Sequence, residues 1–173
     1  VIGGGIAGAS SALHAAEAGA ETLLLAKAPF EETNTAWAQG GIAAAQRADD
    51  SPALHVADTL TVGAGLSDRG VVQSVVGDAR NALRWLQGLG TQFDLENGEL
   101  ALSREGGHTR HRVVHAGGDC TGAEIQRALV DSLMRHQRIT VRTPAFVRDL
   151  VVSEGRCVGA IVQIDGNELA VEE

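Results

Sequence analysis

The opening residues Val1-Ile2-Gly3-Gly4-Gly5-Ile6-Ala7-Gly8 constrain this chain more than any other stretch. They read as the end of an apolar β-strand, a tight glycine turn and the first turn of a helix. Gly3, Gly5 and Gly8 fit the G-x-G-x-x-G spacing. The first permits the sharp turn, the second lets a pyrophosphate approach the backbone, and the third lets helix and strand pack closely. Phosphates would then rest on the free N–H groups and the positive dipole end of that helix. A glycine turn alone is a weak signal in a chain with 22 glycines, and its place directly after an apolar strand is what strengthens it.

The next elements continue the pattern. The alanine-rich run over residues 5–18 favours helix, with Gly19 as its stop. Thr22-Leu23-Leu24-Leu25 is a short apolar strand, the second parallel strand of a βαβ unit. In a nicotinamide-dinucleotide site an acidic residue follows that strand and holds the ribose. Here Ala26-Lys27 stand in its place, which argues against an ordinary NAD site. Lys27 either approaches the ribose and phosphates or is a solvated loop lysine.

Residues 28–50 form a long connection containing Thr33-Asn34-Thr35-Ala36-Trp37-Ala38-Gln39-Gly40-Gly41. So many small residues let a ligand lie against the backbone; the alternative is a turn followed by a short helix beginning near Gly41. Ser51-Pro52 marks a helix N-cap and first position, for a helix running to about Val62. Asp68 caps the next, whose core face is predicted at Val72, Val75, Val76, Ala79, Leu83 and Leu86, with Gly88 and Gly90 ending it. Trp85 reads as packing. Gln92-Phe93-Asp94-Leu95, Asn97-Gly98 and Leu100-Ala101-Leu102 predict a small hairpin with a type I′ turn.

The hairpin leads into the densest set of titratable groups: Arg104, Glu105, His108, Arg110, His111, Arg112 and His115. These form either a solvated charged loop or a working site. A metal reading of the three histidines is disfavoured, because the segment lacks helical character and the arginines repel a cation. Thr121-Gly122-Ala123-Glu124 fits a capping box for a helix to about His136 that buries Ile125, Leu129 and Leu133. Ile139-Thr140-Val141-Arg142 is a strand. Strands over 146–152, 157–164 and 168–171 follow, separated by Glu154-Gly155 and Asp165-Gly166-Asn167, as an antiparallel meander. The expected class is α/β: a parallel sheet with helices, and a β-meander layered against it.

The 173 residues suit one domain. A net charge of −8 disfavours a nucleic-acid backbone or an anionic membrane surface as partner. Cys120 and Cys157, with no C-x-x-C, suit a reducing compartment. No apolar run approaches the roughly 18–20 residues that span a bilayer, and no signal peptide is visible. The chain starts inside a strand without a methionine and ends at Val171-Glu172-Glu173 with no terminating feature, as expected of a piece of a longer protein.

Four ordered segments resemble the flavoproteins of the succinate dehydrogenase/fumarate reductase type and, within them, the L-aspartate oxidases. They are the opening glycine turn; the loop Thr35-Ala36-Trp37-Ala38-Gln39-Gly40-Gly41-Ile42-Ala43-Ala44; the stretch from His55 through Leu66; and Arg104-Glu105-Gly106-Gly107-His108, continued by His115-Ala116-Gly117-Gly118-Asp119-Cys120-Thr121-Gly122. The resemblance covers essentially the whole chain. It implies an incomplete, Rossmann-like FAD-binding domain over residues 1–173, its N-terminal portion, with the capping and C-terminal helical domains absent.

Two positions choose within that family. Where the dehydrogenases and many fumarate reductases carry a histidine bonded covalently to the flavin, this chain has Asn34, so the resemblance implies non-covalent FAD. Where the succinate enzymes have an apolar residue before the paired glycines, it has Glu105. A carboxylate there gives the ammonium of aspartate a charge-assisted partner and disfavours a substrate without one. The resemblance thus implies oxidation of L-aspartate to iminoaspartate in the cytoplasm, with oxygen or fumarate as electron acceptor and a link to quinolinate synthase in NAD biosynthesis. It implies cofactor contacts at Gly3, Gly4, Gly5, Ile6, Ala7, Gly8, Lys27, Asn34, Thr35, Ala36, Trp37, Ala38, Gln39, Gly40, Gly41 and Val147, and Glu105 as the substrate-orienting residue. No metal, nucleic acid or membrane is implied. Asp119 and Thr121 either brace their helix start or touch the cofactor. The family's catalytic arginine and histidines lie beyond this stretch, so the chain alone is expected to be inactive and to hold FAD weakly. The alternatives are a flavoprotein subunit of a succinate dehydrogenase/fumarate reductase and a non-catalytic dinucleotide-binding module.

Overall fold

The structure, a computed structural model, describes residues 1–164 and 166–172. Along the chain run α1 (Ile6–Glu17), β1 (Thr22–Leu25), a 3-10 turn (Phe30–Glu32), β2 (Ile42–Ala43), α2 (Pro52–Val62) and α3 (Arg69–Gly88). Then come β3 (Leu95–Glu96), β4 (Glu99–Leu100), β5 (Leu102–Ser103), β6 (Val113–Val114), α4 (Thr121–Arg135) and β7 (Ile139–Arg142). The chain closes with β8 (Phe146–Ser153), β9 (Arg156–Ile164) and β10 (Asn167–Glu172). Two compact units result: Val1–Trp37 with the chain from Ile125 on, and Ala38–Glu124.

In the first unit β1 pairs in parallel with β7, from Thr22↔Ile139 to Leu25↔Arg142. Ile2 bridges Leu25 in parallel as well, with Gly3 N–H donating to Leu25 O at 2.8 Å. The order is therefore the opening residues, β1, then β7. Helix α1 buries Ala9, Ala12, Leu13 and Ala16, a helically spaced stripe whose small side chains allow a close seat. α4 buries Ile125, Leu129 and Leu133, the face its spacing predicts. β8, β9 and β10 form the antiparallel meander. Glu154 and Gly155, at φ 51° and 78°, make the turn between β8 and β9. Val162, Ala160 and Ala145 close on Leu25, with Leu23, Val147, Ile164 and Val171 around them. That cluster is the layering of meander on parallel sheet that the sequence predicts. Asp165 of the predicted turn lies outside the described residues.

In the second unit α2 packs on α3. Ser51 Oγ caps α2 by accepting from Leu54 N–H at 3.2 Å, and Asp68 Oδ1 caps α3 by accepting from Val71 N–H at 2.9 Å. β2, β6 and β5 form a small antiparallel sheet, in that order. Asn97 and Gly98, at φ 54° and 86°, join β3 to β4 through the type I′ geometry their residue types predict.

Three expectations are corrected, and one alternative is decided. Val75 is 66% exposed, so the buried line of α3 is Val76, Leu83 and Leu86, a narrower stripe than predicted. The hairpin is only two residues deep on each side, and Leu102 leaves it to join β5 in the other sheet. The alternative of a short helix from Gly41 is not taken up: Ile42–Ala43 is β2, paired with β6. Thr121 is not the residue that precedes α4, as the capping box expects. Thr121 lies within α4, where its Oγ1 accepts from Ala116 N–H at 3.1 Å. Glu124 Oε1 accepts from Gln92 N–H at 2.7 Å. No helix among the described residues is long and apolar enough to cross a membrane.

Candidate functional site

The glycine turn of the first unit is built as its spacing requires. Gly3 sits at φ 111°, a conformation open to glycine. A Cβ on Gly8 would stand 1.9 Å from Gly3 O, so α1 starts against the turn at a separation only glycine permits. A Cβ on Gly4 would meet the Phe30 ring at 3.0 Å, and one on Gly5 the Thr35 hydroxyl at 3.2 Å. Thr35 Oγ1 accepts from Ile6 N–H at 2.9 Å, so one first-turn donor of α1 is already held by the loop that follows β1.

Beside this turn lies a cavity of about 400 Å³, within the roughly 300–1,000 Å³ usual for small-molecule sites. Gly3, Gly4, Gly5, Lys27, Asn34, Thr35 and Val147 all line it, together with Glu32 and Ala145. Its wall is tied by Ala145 N–H to Ala26 O at 2.8 Å and by Thr143 Oγ1 to Ala28 O at 3.0 Å. Ile6, Ala7 and Gly8 continue into the first turn of α1. Ala36 N–H donates to Thr33 Oγ1 at 3.1 Å. Trp37 donates from Nε1 to Glu31 O at 3.0 Å and leaves its side chain 75% exposed. From behind, buried Gln126 donates from Nε2 to Gly4 O at 2.9 Å, while its Oε1 has no hydrogen-bond partner among the described residues. Close-approach glycines and N-terminal helix donors beside the cavity fit a nucleotide cofactor that brings phosphates.

In the second unit Ala38, Gln39, Gly40 and Gly41 precede β2, and Gly122 N–H donates to Ala38 O at 2.9 Å. Gly41 is wedged: a Cβ there would lie 2.4 Å from Val114 O and 2.9 Å from His115 Nε2. His115 Nε2 in turn lies 2.8 Å from Glu105 Oε1. Glu105 is thus one side chain away from Gly41. Asp94 fixes the turn after His115, its two oxygens accepting from Gly117 and Gly118 N–H at 2.8 and 3.1 Å.

Behind the Glu105 turn is a buried ionic network. Arg112, fully buried, grips both oxygens of Asp50 at 2.8 Å and Asp58 Oδ2 at 2.6 Å. Asp58 Oδ2 also accepts from the Thr109 N–H and hydroxyl, at 2.8 and 2.9 Å. Arg112 Nη1 lies 3.1 Å from His108 Nδ1, and the His108 ring stands 5.4 Å from that of His55. The Arg112 hydrogen bonds hold the Asp50 carboxyl below its ordinary value, against burial. Burial pushes Asp58 up, but the Thr109 and Arg112 hydrogen bonds outweigh it and bring the carboxyl to about 2. Burial, followed by the positive charge of Arg112, lowers His55. The three histidines of the segment separate: His108 faces Arg112, His111 Nδ1 lies 3.3 Å from Leu102 O, and His115 meets Glu105.

Sequence reading missed Gln126, Glu32, Asp94 and the Arg112 network. His55 and Asp58, three apart on α2, were the available hint of the last; the Arg112 that Asp58 binds lies 54 residues further on.

The FAD binding domain model matches residues 1–173. The chain is 45% identical over 168 residues to the L-aspartate oxidase of Streptomyces coelicolor, covering 96% of this chain and 29% of that protein. It is 42% identical over 173 residues to the L-aspartate oxidase of Mesorhizobium japonicum, covering 99% and 33%. Among solved structures the E. coli quinol fumarate reductase superposes with a TM-score of 0.91 at 26% identity, over 99% of this chain and 30% of that one. The chain therefore spans about a third of the length of the relatives it matches. With its glycine turn, cavity and whole length in agreement, the chain belongs to the FAD binding domain family.

Proposed function

We propose that the chain is the N-terminal portion of the FAD-binding domain of an L-aspartate oxidase, which takes two electrons from the Cα–N unit of L-aspartate to give iminoaspartate. Dioxygen or fumarate is the final acceptor, and the product serves NAD biosynthesis in the cytoplasm by way of quinolinate synthase. The observation that carries this reading is Glu105, a half-exposed carboxylate that meets His115, whose ring lies in the space a Gly41 side chain would need. Its similarity to two L-aspartate oxidases supports the same reading.

Bound FAD supplies the two-electron acceptor. The chain's own residues bind and orient. Gly3 shapes the turn, its own N–H held by Leu25 O, and Gly4, Gly5 and the first turn of α1 beyond Ile6 would offer N–H groups to a pyrophosphate. Lys27 and Val147 would hold the adenosine, and Asn34 through Gly41 would hold the flavin. An amide at Asn34 forms no bond to the ring, so the cofactor is held without a covalent link. Glu105 accepts from the substrate ammonium through charge-assisted hydrogen bonds, and a substrate lacking that cation leaves the carboxylate without its partner. The groups that grip the substrate carboxylates belong to later parts of the enzyme, so residues 1–173 alone give no turnover.

The test is the purified full-length protein. It is expected to be yellow, to release its colour into the supernatant on acid precipitation, and to yield peroxide and ammonia from L-aspartate. A yellow pellet contradicts non-covalent binding. Turnover of succinate without turnover of L-aspartate points instead to a succinate dehydrogenase/fumarate reductase subunit, and a colourless protein to a non-catalytic module.

A further inference from the structure

We propose that His115 is the positioning residue of Glu105: its imidazole pins the carboxylate, so that the substrate ammonium meets a charge already in place. This rests on the reading of Glu105 given above. An ionised carboxylate only accepts hydrogen bonds, so across the 2.8 Å contact His115 Nε2 carries the proton and donates to Oε1. One lone pair of about four is then occupied, and the rest remain for an ammonium.

His115 is the fixed member of the pair. Its carbonyl accepts from Asp94 N–H at 2.8 Å. It follows directly on β6, whose register sets Ile42 opposite Val114, so Gly41 falls opposite His115. The missing Cβ of Gly41 would stand 2.9 Å from Nε2, and any other residue there would displace the ring. The His115 side chain is 23% exposed and that of Glu105 48%. Glu105 sits in a turn with Gly106 and Gly107, tied by His108 N–H to Glu105 O at 3.2 Å. Without the imidazole, a half-exposed glutamate samples several rotamers and must give up that freedom when the amine binds. With it, the ordering is done before substrate arrives. His115 thus acts on recognition through Glu105 and touches no reacting atom.

The test compares His115→Phe, His115→Gln and Glu105→Gln in the full-length FAD-loaded protein, with histidine-ring NMR on the unliganded protein. His115→Phe is expected to raise KM for L-aspartate about tenfold, the worth of one pinned rotamer-rich side chain, while kcat and inhibition by succinate stay within about twofold. His115→Gln keeps an N–H donor and is expected to restore most of the affinity. The spectra are expected to show His115 as the Nε2–H tautomer, with that resonance moved by Glu105→Gln. An Nδ1–H tautomer overturns the proposal without reference to any variant's folding. So does a failure of His115→Gln to restore KM. If His115→Phe leaves KM unchanged while Glu105→Gln raises it, the positioning role falls and the role of Glu105 stands. If Glu105→Gln leaves the choice between aspartate and succinate untouched, both fall.

Discussion

Arg112 holds together two carboxylates and a histidine that the chain delivers from α2, its approach and the Glu105 turn. Removing it leaves Asp50 and Asp58 buried without a counter-charge. Arg112→Met is therefore expected to destabilise the protein by about 3–5 kcal/mol, read as a lower urea midpoint with unchanged slope. Asp58 sets an acid limit. Its folded pKa of about 2 lies below its ordinary 3.8, so the unfolded chain binds the proton more readily. Its contribution is complete above about pH 4, shrinks as the pH falls towards 2, and is gone below that. Asp50 shifts in the same direction. Urea titrations between pH 5 and 2 are expected to show falling stability, with a flatter profile for Asp58→Asn; equal profiles would remove Asp58 from this role. At Gly8 the steric demand is sharper still. The Cβ of Gly8→Ala would overlap Gly3 O, and the variant is expected to lose FAD retention in gel filtration and about 1–3 kcal/mol of stability.

At the scale of elements, stability rests on faces that two helices turn inward. Leu129 and Leu133 of α4 are fully buried, so Leu129→Ala is expected to cost about 2–5 kcal/mol, measured by thermal or urea unfolding. The exposed Val75 of α3, changed to Ala, is expected to shift stability by less than about 0.5 kcal/mol. Elements with local chemistry were legible in the sequence. Ser51-Pro52 and Asp68 cap helices with their own side chains, and Asn97-Gly98 adopts the positive φ values a type I′ turn needs. What was not legible depends on distant partners. Thr121 and Glu124 look like a capping box, yet their oxygens go to Ala116 and Gln92. β2, β5 and β6 are two residues each, too short to show a period, and only their mutual pairing makes them strands. The glycine turn could be read because its requirement is written into adjacent residues. Arg112 could not, because its partners at positions 50 and 58 come from far back in the chain.

For the whole molecule, the chain belongs to the FAD binding domain family and spans about a third of the length of the relatives it matches. The first unit gathers seven of the anticipated cofactor residues around one cavity, and the second pairs Glu105 with His115, whose ring fills the space beside Gly41. Specificity for an amine over a plain dicarboxylate is the claim on which the functional account turns. The direct measurement is the flavin absorbance of the FAD-loaded full-length protein under anaerobic conditions, before and after each candidate substrate. The account predicts that L-aspartate bleaches the flavin and succinate leaves it oxidised. Bleaching by succinate with none by L-aspartate would contradict it.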